Sequence, residues 1–306
     1  MKTPLITIAI PTYNNERTIR RAIDSCLSQK DLEDCEILVV NNASKDSTGE
    51  ILFSYGSGIR IVTNDETVSL FDNHNVALKH SYGKYIIFCH SDDILYPDAV
   101  QILKRRLAQL HYPERFICWG HSHFRDFSTA ITRCGISTGQ VFAGQYAINP
   151  FLHGGLTPSG TCYSKSFLEI GGFLPVPHRL APSDASSMIY AALNGFSFEM
   201  MQAILFKRTD ASTLVTSTGL RDALDGYASA FDNLIEKIGH EQTAEVIQAT
   251  SWSADPPLNF YQVTSTKFPW LVLKTMLKFV AFNPMLLARK QTFRVIVSCI
   301  SRIISA

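Results

Sequence analysis

The first hundred residues alternate short apolar segments with longer amphipathic stretches. In the stretch Thr18–Gln29, apolar side chains recur at the three- and four-residue spacing of a helix that buries one face. The apolar segments are too short for helices and are typical of buried strands. Strands that alternate with helices predict an α/β fold, in which helices cover both faces of a parallel sheet. The predicted strands are Leu5–Ile10, Glu36–Val40, Arg60–Asn64 and Tyr85–Cys89, and the helices are Thr18–Gln29, Ser47–Phe53, Phe71–Ser81 and Pro97 to about Leu110.

The middle of the chain is less regular, and its end is mostly helical. We predict strands at Phe116–Phe124, Gly160–Ser164 and Ala203–Phe206, with a helix at Ser183–Asn194 that ends before a glycine. Helical patterns follow at Arg221–Gly239 and Thr243–Thr250, before a break at Pro256-Pro257.

Composition excludes two classes of protein. The chain has 306 residues, of which 46% are hydrophobic, so it can build a large core and is not a disordered chain. Its formal net charge is +1. A general nucleic-acid binder normally carries a marked basic excess, so nucleic acid is not expected as a partner.

The overall balance of charge hides a basic tail. Seven basic residues and no acid follow Pro256, whereas the first 255 residues carry a net charge of −6. The basic residues interrupt two apolar stretches, Trp270–Phe282 and Phe293–Ile304. This mixture suits a helix on an anionic membrane surface, so we expect peripheral membrane contact. The alternative is that the two helices pack on the rest of the chain or form a homodimer, with lysine stems covering apolar surface.

The cysteines and the apolar runs indicate the compartment. Seven cysteines are scattered with no C-x-x-C pair, which disfavours a disulfide framework or a zinc site. We find no secretory signal and no charge-free apolar run of about 18 residues. We therefore expect a cytoplasmic protein that lies peripherally on the inner face of the cell membrane.

Polar clusters follow three of the predicted strands. In open α/β sheets ligands bind beyond the carboxyl ends of the strands, so these clusters are candidates for one shared site. No glycine-rich dinucleotide fingerprint or P-loop is present in them. Adjacent carboxylates offer another way to neutralise a phosphate, because they can hold Mg²⁺ or Mn²⁺ against a diphosphate. The alternative for such an acidic pair is a helix cap or a solvated turn. The clusters are Pro11-Thr12-Tyr13-Asn14-Asn15, Asn41-Asn42-Ala43-Ser44-Lys45-Asp46 and His90-Ser91-Asp92-Asp93.

Four motifs occur in one order and with consistent spacing: P-T-Y-N-N-E at 11–16, V-V-N-N-A-S-K-D-S-T at 39–48, G-K-Y-I-I-F-C-H-S-D-D at 83–93 and G-G-F at 171–173. Together they resemble the family 2 glycosyltransferases of the GT-A fold, over about residues 4–215. The resemblance implies a Rossmann-like, mostly parallel central sheet flanked by helices. It implies a GT-A domain at 1–215, with a nucleotide-binding half at 1–96 and an acceptor and catalytic half at 97–215. Residues 216–306 would then form a helical C-terminal region with the basic amphipathic tail.

The resemblance also implies roles for residues at the strand ends. Thr12 and Tyr13 match a turn that contacts the base and ribose. Asn41 stands where the family commonly has an aspartate that accepts a hydrogen bond from uracil, and an amide oxygen can accept that bond without charge assistance. Asp92 matches the ribose-facing acid of the D-x-D-like motif, and Asp93 the acid that binds Mn²⁺ or Mg²⁺. The implied nucleotide-sugar contacts are Pro11, Thr12, Tyr13, Asn14, Asn41, Asn42, Ser44 and Asp92.

A catalytic base is implied at Asp184, in the segment after G-G-F. Its carboxylate would accept the proton of the acceptor hydroxyl. The alternative is an acid placed at a helix N-terminus, where the helix dipole favours it. Besides Asn41, three positions depart from the family pattern: His90 and Ser183 replace acids, and Thr209 replaces a histidine. Lys207 or Arg208 is an alternative contact for phosphate.

The resemblance implies an inverting transfer of sugar from a nucleotide diphosphate sugar, with a UDP-sugar as the expected donor. The implied acceptor is a saccharide or a lipid-linked saccharide in the synthesis of cell-surface polysaccharide or lipopolysaccharide. One alternative is a catalytically degenerate protein that only binds nucleotide sugars, which the departures would explain. Another is a nucleotidyltransferase, which the missing glycine-rich phosphate loop disfavours.

Overall fold

The computed structural model describes most of the N-terminal two thirds of the chain and parts of the remainder. The described residues are 3–121, 135–144, 146–148, 151, 156, 158–175, 183–208, 234–239, 241–243, 269–282, 284–288 and 290–305. Thr209, the end of the strand predicted to reach Phe124, and most of the helices predicted over 221–250 lie outside these residues.

The strands and helices predicted for the first hundred residues are confirmed, with ends that differ by one or two residues. Every residue of the first and fourth strands is buried, as expected for strands with helices on both sides. The elements are β1 (Ile6–Thr12), α1 (Ile19–Leu27), β2 (Cys35–Asn41), α2 (Thr48–Phe53), β3 (Arg60–Thr63), α3 (Leu70–His80), β4 (Tyr85–Phe88), β5 (Ile94–Leu95) and α4 (Ala99–Gln109).

The second part of the fold adds strands and one long helix. Here the predicted strand Ala203–Phe206 is wrong in its bounds, because the strand begins at Ser197 and ends at Ile204. The first half of this strand was not predicted because the charged residue Glu199 interrupts its apolar pattern. Glu199 is nevertheless buried, since it forms an ion pair with Arg106. The elements are β6 (Phe116–His121), β7 (Val141–Ala143), β8 (Thr161–Ser164), α5 (Asp184–Leu193), β9 (Ser197–Ile204) and β10 (Phe206–Lys207).

The described strands form one large sheet in the order β3-β2-β1-β4-β8-β6-β9-β7, and β10 pairs separately with β5. The first four strands of this order are parallel. Strand β8 runs antiparallel to β4 and β6, β9 is parallel to β6, and β7 is antiparallel to β9. The sheet is therefore mixed but mostly parallel, and the carboxyl ends of β1, β2 and β4 lie at one edge.

Helices cover both faces of the sheet and close two hydrophobic cores. One core packs α1 and α4 against the sheet through side chains such as Ile23 and Leu103. The other joins α3 and α5 to the opposite face through Phe71, Phe173 and Met188. Both faces of the central strands are apolar, so both must be covered.

Two C-terminal helices, α6 (Pro269–Phe282) and α7 (Lys290–Ile304), follow, with a short 3-10 turn at Pro284–Ala288 between them. Their buried side chains, among them Val272 and Val295, belong to the same core as α3 and α5. The predicted helical C-terminal region is therefore present, and one side of it packs on the rest of the chain. Among the described residues, no helix has both the length and the apolar character needed to cross a membrane.

Candidate active site

The turns that follow β1 and β2 are bound to each other. Thr12 lies opposite Asn41 in the parallel register of the two strands. Just beyond, the backbone amide of Asn14 donates to the Ser44 hydroxyl at 3.0 Å, and the amide of Lys45 donates to the Asn14 side-chain oxygen at 2.8 Å. The first two polar clusters of the sequence therefore form one continuous surface at the sheet edge.

Thr12 has a buried hydroxyl that no described residue satisfies. Its side chain is 2% exposed, and its Oγ1 has no hydrogen-bond partner among the described residues. A buried hydroxyl without a partner costs free energy, so such atoms are uncommon away from binding sites. A polar ligand group at the end of β1 would satisfy it.

Asn41 and Asn42 are both buried, but their amides have different partners. The side-chain oxygen of Asn41 accepts a hydrogen bond from the Ser44 amide at 3.1 Å, which shapes its own turn. The side-chain oxygen of Asn42 accepts from Asn64 and from the backbone of Val68, and its side-chain nitrogen donates to the Val68 carbonyl. Asn42 thus fixes the segment that leads into α3, and its contact with a nucleotide stays a prediction.

The acidic pair lies in the turn that follows β4. Asp92 is 7% exposed and Asp93 3% exposed. The amide of Asp93 donates to the His90 carbonyl at 2.9 Å, which closes the turn. Strand β5 separates this turn from α4, so the pair does not cap that helix. A cap of α4 and a solvated turn are both excluded by this placement.

A third potential ligand accompanies the two carboxylates. One ring nitrogen of His90 and one oxygen from each of Asp92 and Asp93 all lie within 4.8 Å of one another. Two oxygen ligands and one imidazole suit a divalent transition metal such as Mn²⁺. The sequence pattern pointed to Asp93 for this role, and it placed His90 only as a replacement for an acid.

The electrostatics of the turn fit a bound cation. Burial raises the pKa of Asp92, and the carboxylate of Asp93 raises it further, while His90 and the Arg208 cation oppose the shift. Arg208 directly follows β10, whose pairing with β5 brings it to this turn. Two carboxylates buried side by side are stabilised by a divalent ion, so the residues present fit the metal that the motif implies.

His74, which the sequence pattern did not single out, contacts His90. The two Nε2 atoms lie 3.0 Å apart, and Nδ1 of His74 lies 2.7 Å from the Leu70 carbonyl oxygen. Burial, followed by the charge of His90, lowers the pKa of His74 to about 3, so its ring is neutral at physiological pH. Its only signal in the sequence is its place on the apolar face of α3, where a histidine is unexpected.

Asp184 is the first residue of α5 and is half-buried. The start of this helix is fixed by its neighbours: the Ser183 hydroxyl donates to the Leu174 carbonyl at 2.6 Å, and the Leu174 amide donates to the Ser187 hydroxyl at 2.9 Å. Together these bonds tie α5 to the segment that contains the G-G-F motif.

The G-G-F segment is in turn held by α3. Asn75 donates to the Phe173 carbonyl and accepts from the Phe173 amide, both at 2.8 Å. Gly172 has a φ of 70°, and a β-carbon there would lie 2.4 Å from the Asn75 side-chain oxygen. Only glycine therefore allows this close approach. One helix thus positions both His74 and the start of α5.

Tyr163 lies near both Asp184 and the last residue of β4. Burial raises the pKa of Tyr163 far above its ordinary value, and the Asp184 carboxylate raises it further. The Tyr163 ring packs on Phe88, the last residue of β4, with centroids 5.6 Å apart. The ring of His74 packs on Phe88 as well, at 4.9 Å. The rings of Tyr163 and His74 therefore both pack on Phe88.

A mostly parallel sheet with interlocked asparagine turns after β1 and β2 and an acidic turn after β4 is the arrangement of a GT-A-like fold. Residues 7–126 match the family described as glycosyl transferase family 2. An uncharacterized glycosyltransferase of Rickettsia prowazekii (strain Madrid E) is 39% identical over 98 residues, which is 32% of this chain and 30% of that protein. Among the curated relatives, the match spans between 10% and 32% of the relative's own length.

Solved structures share the fold over nearly the whole chain. The crystal structure of S. aureus TarS 1-349 in complex with UDP-GlcNAc has a TM-score of 0.70 at 16% identity, with 97% of this chain and 88% of that chain covered. The mannosyltransferase of Pyrobaculum calidifontis in complex with GDP-Man and Mn²⁺ has a TM-score of 0.60 at 15% identity, with 98% and 87% covered. At these identities the likeness shows the fold.

Proposed function

We propose that this chain is an inverting glycosyltransferase that takes a sugar from a nucleotide diphosphate sugar. The observation that carries the proposal is that Asp92 and Asp93 are buried together at the same sheet edge as Thr12 and Asn41. The match to glycosyl transferase family 2 covers all of these residues but does not reach Asp184. The UDP-GlcNAc complex of TarS and the GDP-Man complex of the Pyrobaculum enzyme support a nucleotide sugar as donor.

The donor would lie across the ends of β1, β2 and β4. Thr12 and Tyr13 contact the base and ribose, and the open hydroxyl of Thr12 supports this role. Asn41 faces the base with an uncharged amide, whose oxygen can accept a hydrogen bond from the N–H group of uracil. Asp92 accepts from the ribose, and Asp93 holds Mn²⁺ or Mg²⁺. Pro11, Asn14 and Ser44 shape the turns on which the nucleotide rests.

The transfer itself requires one base and one stabilised leaving group. Asp184 takes the proton of the acceptor hydroxyl as that oxygen attacks the anomeric carbon. The bond from the anomeric carbon to the phosphate oxygen breaks, and its electron pair leaves with the nucleoside diphosphate. The metal, when bound, supplies Lewis-acid stabilisation of the diphosphate. Arg208 adds positive charge beside the same turn.

Donor binding tests the proposal directly. We expect UDP-sugars to bind the full chain in ligand-observed NMR only when Mn²⁺ is present. In Asp93→Ala, adding Mn²⁺ should no longer increase the binding of UDP-sugars. Asp98→Ala is the matched control, since Asp98 precedes α4 without capping it and should bind like wild type. Metal-dependent binding that survives in Asp93→Ala would contradict the metal assignment. Binding of donors with no release of nucleoside diphosphate in the presence of any acceptor would favour a catalytically degenerate binding protein. Release of pyrophosphate from a nucleoside triphosphate would favour a nucleotidyltransferase.

We further propose that the C-terminal helices contact an anionic membrane, where a saccharide or lipid-linked saccharide acceptor is presented. Helix α7 carries an exposed apolar stripe, formed by Phe293, Val297, Ile300 and Ile304. The buried side chains of α7 lie on another face of the helix. The exposed cations Lys290 and Arg294 border this stripe. Exposed apolar and basic side chains together match the surface of an anionic bilayer.

Vesicle sedimentation of the full chain tests this contact. We expect binding to vesicles that contain phosphatidylglycerol and little binding to pure phosphatidylcholine. Lys290→Glu/Arg294→Glu should lose most of the binding, because each basic residue near the surface contributes about 1 kcal/mol. Lys79→Glu, an exposed lysine on α3, is the control for net charge. Unchanged vesicle binding in the double variant would contradict the membrane proposal. A wild-type protein that does not bind vesicles but forms a dimer, which Phe293→Ser dissociates, would contradict it as well.

A further inference from the structure

The hydrogen bonds of His74 define which of its nitrogens carries hydrogen. Its ring is fully buried and packs between the aromatic rings of Phe71, Phe88 and Phe173. Nδ1 lies 2.7 Å from the Leu70 carbonyl oxygen, which can only accept, so Nδ1 carries the hydrogen. A charged imidazolium is disfavoured in such apolar surroundings, so Nε2 is left with a lone pair.

The tautomer of His74 determines which ring nitrogen of His90 carries its hydrogen. Nε2 of His90 lies 3.0 Å from Nε2 of His74. Since the His74 nitrogen accepts, the His90 nitrogen must donate, and Nε2 of His90 carries the hydrogen. The lone pair of a neutral His90 is therefore on Nδ1. The backbone of His90 is held as well, because its amide donates to the Ser159 hydroxyl at 3.1 Å.

We propose that His74 is a positioning residue that holds His90 as a nitrogen ligand of the divalent metal, bound through Nδ1 beside Asp92 and Asp93. The proposal deepens the metal site on which the proposed function rests. Metal-binding histidines commonly donate their second N–H to an acceptor that fixes the ring, and here the acceptor is another histidine. One imidazole in place of a third oxygen favours Mn²⁺ or Co²⁺ over Mg²⁺, because nitrogen is the softer ligand.

Spectroscopy of bound Mn²⁺ tests the ligand assignment directly. We expect pulsed EPR of Mn²⁺ bound to the full chain, with no nucleotide sugar present, to show coupling to a directly bound histidine nitrogen. The coupling should change on uniform ¹⁵N labelling and vanish in His90→Asp. His90→Asp should also lower the ratio of Co²⁺ to Mg²⁺ affinity by about tenfold or more, since it restores an oxygen ligand. Bound Mn²⁺ without nitrogen coupling would overturn the proposal.

Variants of His74 test the positioning role. His74→Leu removes the acceptor, and we expect Mn²⁺ affinity to fall by about 10–100-fold. His74→Gln keeps an acceptor oxygen and should recover most of that loss, while His80→Gln, an exposed histidine on the same helix, should bind like wild type. Equal affinity in His74→Leu and wild type, with both folded by circular dichroism, would overturn the role of His74.

The outcomes separate this inference from the proposed function. A protein that transfers sugar but shows no nitrogen coupling would refute the His90 ligand and leave the proposed function standing. A protein that binds Mn²⁺ through His90 but transfers no sugar to any acceptor would refute the proposed function and leave the ligand assignment standing.

Discussion

The backbone amide of Asn14 donates a hydrogen bond to the Ser44 hydroxyl at 3.0 Å, which joins the turns after β1 and β2 directly. Asn14 has a φ of 50°, in the left-handed region, and its own side chain accepts from the amide of Lys45. The conformation of the proposed nucleotide surface therefore depends on a few local hydrogen bonds and on one residue that tolerates a positive φ.

Two substitutions at Asn14 separate these contributions. Asn14→Gly loses the side-chain hydrogen bond, which is worth roughly 0.5–1.5 kcal/mol, and should weaken UDP binding by about 2- to 10-fold. Asn14→Ala loses the same bond and adds a β-carbon at positive φ, so its free energy of unfolding should fall by roughly 1 kcal/mol more. Isothermal titration calorimetry and urea unfolding measure the two effects. Equal stability of the alanine and glycine variants would show that the positive φ at position 14 does not contribute to the free energy of unfolding.

Asp184→Asn tests the catalytic base. If the carboxylate accepts the acceptor proton, turnover should fall by about 10²- to 10⁴-fold while donor affinity stays within about twofold. Asp72→Asn is the matched control, since Asp72 is likewise an acid in the first turn of a helix, α3. A variant with full turnover and a loss of only about 0.3–1 kcal/mol of stability would mean that Asp184 serves the helix dipole alone.

Asp92→Asn should stabilise the protein in the absence of metal. Burial raises the pKa of Asp92, so between its unfolded and folded pKa values the folded state binds more protons than the unfolded state. The carboxylate therefore costs stability at neutral pH, and this cost disappears as pH falls through the folded pKa. We expect Asp92→Asn to have a higher Tm than wild type at pH 7 and a smaller gain at pH 4.

Thermal unfolding by circular dichroism at the two pH values, in the presence of a chelator, measures this difference. A Tm lower than wild type at pH 7 would show that the carboxylate of Asp92 stabilises the metal-free fold. Loss of Mn²⁺ binding in Asp92→Asn would show that the carboxylate that destabilises the metal-free fold is needed to bind the metal.

Arg106 and Glu199 form an ion pair that supports the sheet away from the site. Nε of Arg106 lies 2.9 Å from both carboxylate oxygens of Glu199, which is 2% exposed. Arg106→Met should lower the free energy of unfolding by roughly 3–5 kcal/mol, because it leaves a buried charge without this partner. Adding Glu199→Met should restore most of the loss.

Urea unfolding of the two single variants and the double variant gives the coupling energy of the pair. Lys104→Met is the control, since Lys104 pairs with the more exposed Asp31 and should cost at most about 1 kcal/mol. An Arg106→Met variant that is no less stable than Lys104→Met would contradict the importance of the buried pair.

The first half of the fold could be read from the sequence because its strands and helices are locally consistent. Strand β1 is an uninterrupted apolar run, and α1 buries the face that its spacing predicts. Strand β9 was harder to predict, since Glu199 interrupts its apolar pattern and becomes buried only through Arg106, which lies 93 positions earlier in the chain. A two-residue strand such as β10 has no pattern of its own, and its partner β5 defines it.

The spacing of apolar residues is enough to predict the alternation of strands and helices. It also predicts the sheet edge that Asn14, Asn41 and Asp93 share, because the carboxyl ends of parallel strands lie at one edge. Only the tertiary structure decided that Asn42 holds the segment 64–68 and that His74 meets His90. Hydrogen bonds between distant side chains depend on distances of about 3 Å and on ring orientation, and no spacing of residues along a chain specifies these.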